Sequence, residues 1–377
     1  MIWRLLLICL VLARVSSGAA GEVRQNREEA GLFVGAVGCK SSSCHGGAGE
    51  KRSQYITWSQ QDFHTRAYAI LLDARSTRIA EAVGIGDAPS NARCTTCHSP
   101  AQAVSPDRFV SNSHPDTGVS CEACHGAAGG WLRGHTRPDW TYGMRVSAGM
   151  HDLRNLYMRA NACVACHQNV DHDILKAGHP ALLFELDSQS INEPRHWTET
   201  DSWSGARAWL AGQATALREA AWRARRDTDP APDMQETSLA LAWLLARVTI
   251  TEPLLPQVIE PSTADLEPLQ KEADDLARRA STWNPTIDSA SAIMRNLAET
   301  DSEFVVGKNR SMETLFYRAR RLVLALDRLT TALNQNRELP LKLEQELNIL
   351  RQDVAIAHGN LDTSKFAEHL RALRAKL

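Results

Sequence analysis

The chain has 377 residues, 43% of them hydrophobic and 23% charged, an ordinary globular composition with room for two domains. Its formal net charge of −2 gives no basic excess, so nucleic acid and anionic membrane surfaces are not expected partners.

The first twenty residues differ from the rest. Arg4 precedes an unbroken apolar run from Leu5 to Val11, and Ser17-Gly18-Ala19 supplies small residues for cleavage near Ala19 or Ala20. This is the layout of a secretory signal peptide. The run is short for a membrane span. An uncleaved N-terminal anchor is the alternative, but no stop-transfer pattern follows it. An exported, periplasmic protein is expected, with residues 1–20 removed, residues 21–200 as one domain and 201–377 as another.

Gly21 to Val37 is polar, then Gly-rich, and reads as a loose opening segment. The first of four cysteine pairs follows. With Cys9 set aside, eight cysteines remain: Cys39 and Cys44, Cys94 and Cys97, Cys121 and Cys124, Cys163 and Cys166. Each pair is followed at once by a histidine: His45, His98, His125 and His167. Disulfides suit an exported protein but do not require that histidine. Zinc sites use Cys-x-x-Cys pairs but do not fix histidine at one offset four times. By chance, one Cys-x-x-Cys-His arises in roughly one chain in a hundred of this composition, so three are not chance. The pentapeptide is the attachment signature of c-type haem. Its sulfurs bond the haem vinyl groups and its histidine ligates the iron. Four covalent haem c groups are therefore expected.

The first pair departs from the pattern, with four residues between Cys39 and Cys44. Either both cysteines form thioethers across a longer spacing, or only Cys44 does, with Ser41 where the first cysteine normally stands. His45 is the proximal ligand in both cases.

Tyr55, Trp58, Ala67, Ile70 and Leu71 recur at near-helical spacing and predict a helix over Tyr55 to Ala74, with His64 on it. Ser111 to Ser120 reads as loop, with His114 inside it. Cys121 to His135 joins the third motif to a second histidine through a Gly-rich turn. Trp140 and Tyr142 are available to cover a haem face. Met150 to Ala165 predicts a helix running into the fourth motif, with His151 at its start. His172 and His179, the latter in Gly-His-Pro, follow.

From about Asp201 there are no cysteines. Helical periodicity spans Ser204 to Arg226, Asp233 to Thr249, Leu266 to Ser281, Ile287 to Thr300, Met312 to Asn334, Leu341 to His358 and Thr363 to Leu377. The stripe Leu315, Ala319, Leu322, Leu326 and Leu329 is an ordinary bundle face. The expected fold is mainly α: short helices and loops around four haems, then an α-helical bundle.

Residues of roughly 39 to 200 resemble the cytochrome c-554 family of tetrahaem cytochromes. The four motifs carry the resemblance, together with Trp58…His64-Thr-Arg-Ala, the run Gly118-Val-Ser-Cys-Glu-Ala-Cys-His-Gly, and the histidine beyond it. The resemblance implies that His135 is the distal ligand of the haem held by His45, and His64 that of the haem held by His125. His179 is the choice for the haem held by His167. In the type member of the family the haem corresponding to that of His98 lacks a sixth ligand. Here His114, His151, His172 and His196 are spare, and His151 is the choice for it.

Mostly bis-histidine haems in one small domain suit electron transfer between redox partner proteins rather than enzymatic catalysis. A redox enzyme acting on a small nitrogen or sulfur compound at a five-coordinate haem is the alternative. The C-terminal helices are expected to dock the cytochrome on a membrane-bound redox complex.

Overall fold

The computed structural model describes residues 31–110, 118–199, 201–226, 232–261, 266–304, 311–355 and 360–377. The expected signal segment, His114 and His358 lie outside them. The fold is mainly α, and the described residues contain no strand beyond an isolated bridge between Phe33 and Phe109. Packing divides the chain into two compact units, one ending at Arg154 and one running from Asn155 to Leu377.

The first unit holds α1 (Gln54–Gln61), α2 (Ala67–Ile70), α3 (Ala74–Ala82), α4 (Ala92–His98), α5 (Cys121–His125) and α6 (Tyr142–Ser147). The single helix expected over Tyr55 to Ala74 is broken. Asp62 takes extended backbone angles, and its side chain accepts from the His64 amide, which ends α1 and starts a 3-10 turn over Phe63–Arg66. Asp73 likewise accepts from the Ser76 amide and caps α3. Aspartate competes for backbone donors at helix ends, so it interrupts a pattern that apolar spacing alone reads as continuous.

The second unit begins with α7 (Leu156–His167), α8 (His172–Lys176) and α9 (Leu186–Asn192). α7 starts later than the expected Met150, because the Asn155 side chain accepts from the Tyr157 amide and caps it there. Then come α10 (Ser204–Arg226), α11 (Pro232–Thr251), α12 (Glu267–Ala280), α13 (Ile287–Ala298), α14 (Met312–Asn336), α15 (Glu344–Ala355) and α16 (Thr363–Arg374). Their positions follow the apolar periodicity closely.

α10 is the centre of this unit, packed on by α7, α9, α11, α12 and α14. Its face is rich in alanine, and Ala206, Ala211, Ala214 and Ala216 are fully buried. A Cβ at Gly212 would lie 2.8 Å from Leu186 Cβ, so glycine is what lets the start of α9 reach the α10 backbone. The α14 stripe from Leu315 to Leu329 is buried as expected. Trp243, Phe304 and Phe366 meet edge to face, with centroids 6.0 and 4.7 Å apart along the series.

The composition changes near residue 200, but packing changes at Arg154 and Asn155. The reason is α7. Its Leu156, Ala160 and Val164 are buried, and the helix packs on α10. The fourth cysteine motif therefore belongs to the helical unit.

Candidate haem-binding sites

A histidine that ligates iron must present a lone pair, and the hydrogen-bond partner of its other nitrogen decides which nitrogen that is. A carbonyl or carboxylate oxygen only accepts, so a ring nitrogen facing one carries the hydrogen. Nδ1–H of His45 donates to Gln54 Oε1 at 2.9 Å, that of His98 to the Ala67 carbonyl at 2.9 Å, and that of His179 to the Pro180 carbonyl at 2.8 Å. His135 Nδ1–H donates to the Leu132 carbonyl, and His64 Nδ1 lies 3.0 Å from Asp62 Oδ1. In each of these five rings the Nδ1 contact leaves Nε2 as the nitrogen that carries the lone pair. His369 pairs with Asp353 in the same way at 2.7 Å, far in sequence from any cysteine. The pattern therefore has meaning for haem only where a cysteine motif accompanies it.

The first motif is a tight loop. A Cβ at Gly46 would lie 1.8 Å from the Lys40 carbonyl, so no larger residue fits there. The Cys44 amide donates to the Ser41 carbonyl at 2.8 Å, and the Tyr55 amide donates to the His45 carbonyl at 2.9 Å. These bonds carry the chain from His45 into α1. Cys44 is exposed, while Cys39 is half-buried and its sulfur shares a hydrogen bond with that of Cys121. That bond, with burial, pushes the Cys121 thiol up. Burial also pushes the Cys94 thiol up.

α5 carries the third motif. Glu122, between its cysteines, is buried, and its carboxylate accepts from the Val34, Gly35 and Ala128 amides at 3.0, 2.8 and 2.7 Å. One side chain thus ties the segment leading into the first motif to the third motif and to the turn that leads to His135. The His45 and His135 rings end with centroids 6.1 Å apart and planes inclined by 15°. A metal–imidazole bond of about 2 Å on each side, plus half of each ring, puts two imidazoles sharing one iron about 6 Å apart. The separation of the pair is the one that axial ligation of a single iron requires. Burial holds His135 below the ordinary histidine range, and the nearby charges of His45 and Arg145 act in the same direction, favouring the neutral form that binds iron.

His64 lies at the approach to the third motif. The Val119 amide donates to its carbonyl at 3.0 Å, and Trp58 Nε1–H donates to the Val119 carbonyl at 3.0 Å. His151 also contacts the third motif. Its amide donates to the His125 carbonyl and its Nδ1–H to the Cys124 carbonyl, both at 2.9 Å. A Cβ at Gly126 would lie 3.0 Å from His151 Nε2. The expectation that His151 serves the haem of His98 rested on counting spare histidines; its contacts here are with the motif of His125.

The fourth motif ends α7. Behind it, Gln168 Nε2 donates to the Ala216 carbonyl at 2.8 Å. Ahead of it, Tyr157 donates to Asp274 at 2.9 Å, and Arg218 joins Asp274 and Asn161 at 2.7 and 2.6 Å. These bonds fix α7 against α10 and α12. Gly178, at φ 109°, turns the chain after α8 so that the His179 amide donates to the Ile174 carbonyl.

Residues 36–126 match the protein-family model described as Cytochrome c554 and c-prime. Over this stretch the chain is similar to the c-type cytochromes of the cytochrome c554 family. Covalently bound haem c is what that likeness implies. The match takes in the first three motifs and His64 and stops one residue after His125. It is shorter than the resemblance read over 39–200, so His135, the fourth motif and His179 stand on their own residues. Comparison of the chain with curated proteins and with solved structures gives no match. Among the described residues no helix is long and apolar enough to cross a membrane.

Within residues 36–126, sequence reasoning missed Glu122, Asp62 and Gln54. A glutamate inside Cys-Glu-Ala-Cys-His carries no signal of burial. Asp62 had one: an aspartate two residues before a candidate ligand is a common cap and imidazole partner.

Proposed function

We propose that the protein is an exported, periplasmic tetrahaem cytochrome that passes electrons between redox partner proteins through mostly bis-histidine haems. The observation that carries this reading is the His45–His135 pair: near-parallel rings at haem-ligand separation, each with Nδ1–H already donated. Haem c bound at such a pair supplies the one-electron chemistry. The chain's own residues hold the imidazoles. Donation of Nδ1–H to an oxygen orients each ring and raises its basicity toward iron. An iron with two histidines has no site for substrate, which favours transfer over catalysis.

Their place directly after a cysteine pair assigns His45, His98, His125 and His167 as proximal ligands. His135 serves the haem of His45, His64 that of His125 and His179 that of His167. Cys39 and Cys44, Cys94 and Cys97, Cys121 and Cys124, and Cys163 and Cys166 are the attachment residues. The helical unit is the contact for a membrane redox complex, and the exposed Ile250, Leu254 and Ile259, at 72%, 69% and 68%, support that role.

Haem counting tests the core of the proposal. The mass of the intact protein and its pyridine haemochrome spectrum should give four covalent haems per chain. Three haems, with Cys163 and Cys166 alkylatable, would sink the tetrahaem reading. Leu254→Asp with Ile259→Asp should abolish co-purification with membrane components while leaving all haems bound.

A further inference from the structure

Near His135, two enclosed donors have no acceptor among the described residues. Trp131 is 8% exposed and its indole N–H is unpaired. Arg145 Nε is also buried and unpaired. The Trp131 ring stands edge-on to His135, with centroids 5.4 Å apart and planes at 85°. Arg145 is near enough for its charge to bear on His135.

Both donors sit on fixed elements. The Trp131 amide donates to the Ala128 carbonyl at 3.1 Å, and Ala128 is itself held by Glu122. The His135 amide donates back to the Trp131 carbonyl at 2.9 Å. Arg145 lies on α6, whose first turn is capped by Thr141. The Trp140 ring covers Gly134, next to His135, where a Cβ would lie 2.1 Å from the indole.

Buried donors without acceptors cost stability, so such a pair calls for a group to accept from it. A guanidinium and an indole N–H have only hydrogens to give, and together they suit a carboxylate. Carboxylates near in sequence are engaged elsewhere. Glu122 accepts three amides, Asp139 pairs with Arg137 at 2.7 Å, and Asp152 accepts from Tyr142 at 2.8 Å. A haem brings two carboxylates of its own.

We propose that Trp131 and Arg145 clamp a propionate of the haem ligated by His45 and His135, and so set the reduction potential of that one haem. The inference rests on the axial pairing proposed above. It makes Trp131 and Arg145 positioning residues that act through the propionate. With the arginine removed, the propionate charge is uncompensated and favours ferric iron, so the potential falls. One charge some 10 Å away through protein of intermediate polarity corresponds to roughly a tenfold shift toward the oxidised form, about 59 mV for a one-electron couple.

The test is a potentiometric titration of the haem-loaded protein followed by electron paramagnetic resonance. Arg145→Gln should lower the midpoint of one haem, the same haem whose signal changes in His135→Met. Arg145→Lys should stay near the wild-type value. Trp131→Phe keeps the ring and removes the donor; it should lower the same midpoint by less, and it decides the matter alone if Arg145→Gln fails to fold. Four unchanged midpoints in haem-replete variants would overturn the clamp, as would a shift confined to a different haem. A His135→Met protein with all four signals unchanged would overturn the axial pairing instead, whatever the midpoints do.

Discussion

Among the described residues between 31 and 154, few apolar side chains are buried: Ala36, Leu71, Ile79, Ala80, Ala88, Ala128 and Trp131. Phe63 and Leu72 stay 76% and 63% exposed. From Asn155 onward the pattern reverses, and Trp209, Trp243, Phe304, Phe366 and long leucine stripes are wholly enclosed. The second unit is an ordinary helical protein whose stability comes from apolar burial. The first is held by polar clamps such as Glu122 and Asp62, arranged around cysteine motifs. Its remaining apolar contact must come from haem, whose surface is large and apolar.

This contrast predicts its largest effect when haem attachment is prevented. Replacing all eight motif cysteines by serine should leave residues 31–154 open to limited proteolysis, while the helical unit keeps its far-ultraviolet dichroism and a cooperative melt. Equal loss in both units would break the comparison. In the other direction, Leu326→Ala, at a fully buried position on α14, should cost about 2–5 kcal/mol in denaturant melts and leave every haem spectrum unchanged.

A smaller effect comes from a buried carboxylate of the helical unit. Asp187 is held up to about 7 by burial, with Glu185 adding to the rise and Arg328 opposing it. Its folded value lies above the ordinary 3.8. The associated stability is therefore fully present below about pH 4 and is lost as pH rises through about 7. Urea midpoints of the wild-type protein should fall across that window. Asp187→Asn should flatten the slope, by a few kcal/mol at most. An unchanged slope would show that another group governs it.

The helical unit was the more legible part. Ser204–Arg226 was read to the residue, because apolar spacing decides where such a helix packs. In the first unit the cysteine motifs were legible and their surroundings were not. Backbone carbonyls such as those of Ala67 and Leu132 fix the imidazoles, and no side-chain alphabet announces a carbonyl. Composition and packing also divide the chain at different places, for a related reason. Composition follows where cysteines stop, whereas packing follows Leu156, Ala160 and Val164. His151 was assigned by elimination, and elimination carries no geometry.

The central claim is that histidines brought from distant parts of the chain pair across single irons, with His45 and His135 as the best-defined pair. Electron paramagnetic resonance of the oxidised wild-type and His135→Met proteins tests it most directly. The account predicts low-spin signals from the haems of His45, His125 and His167 in the wild type, and a change confined to one of them in the variant. A wild-type spectrum dominated by high-spin iron that binds carbon monoxide on reduction, or a variant spectrum identical to wild type, would contradict it.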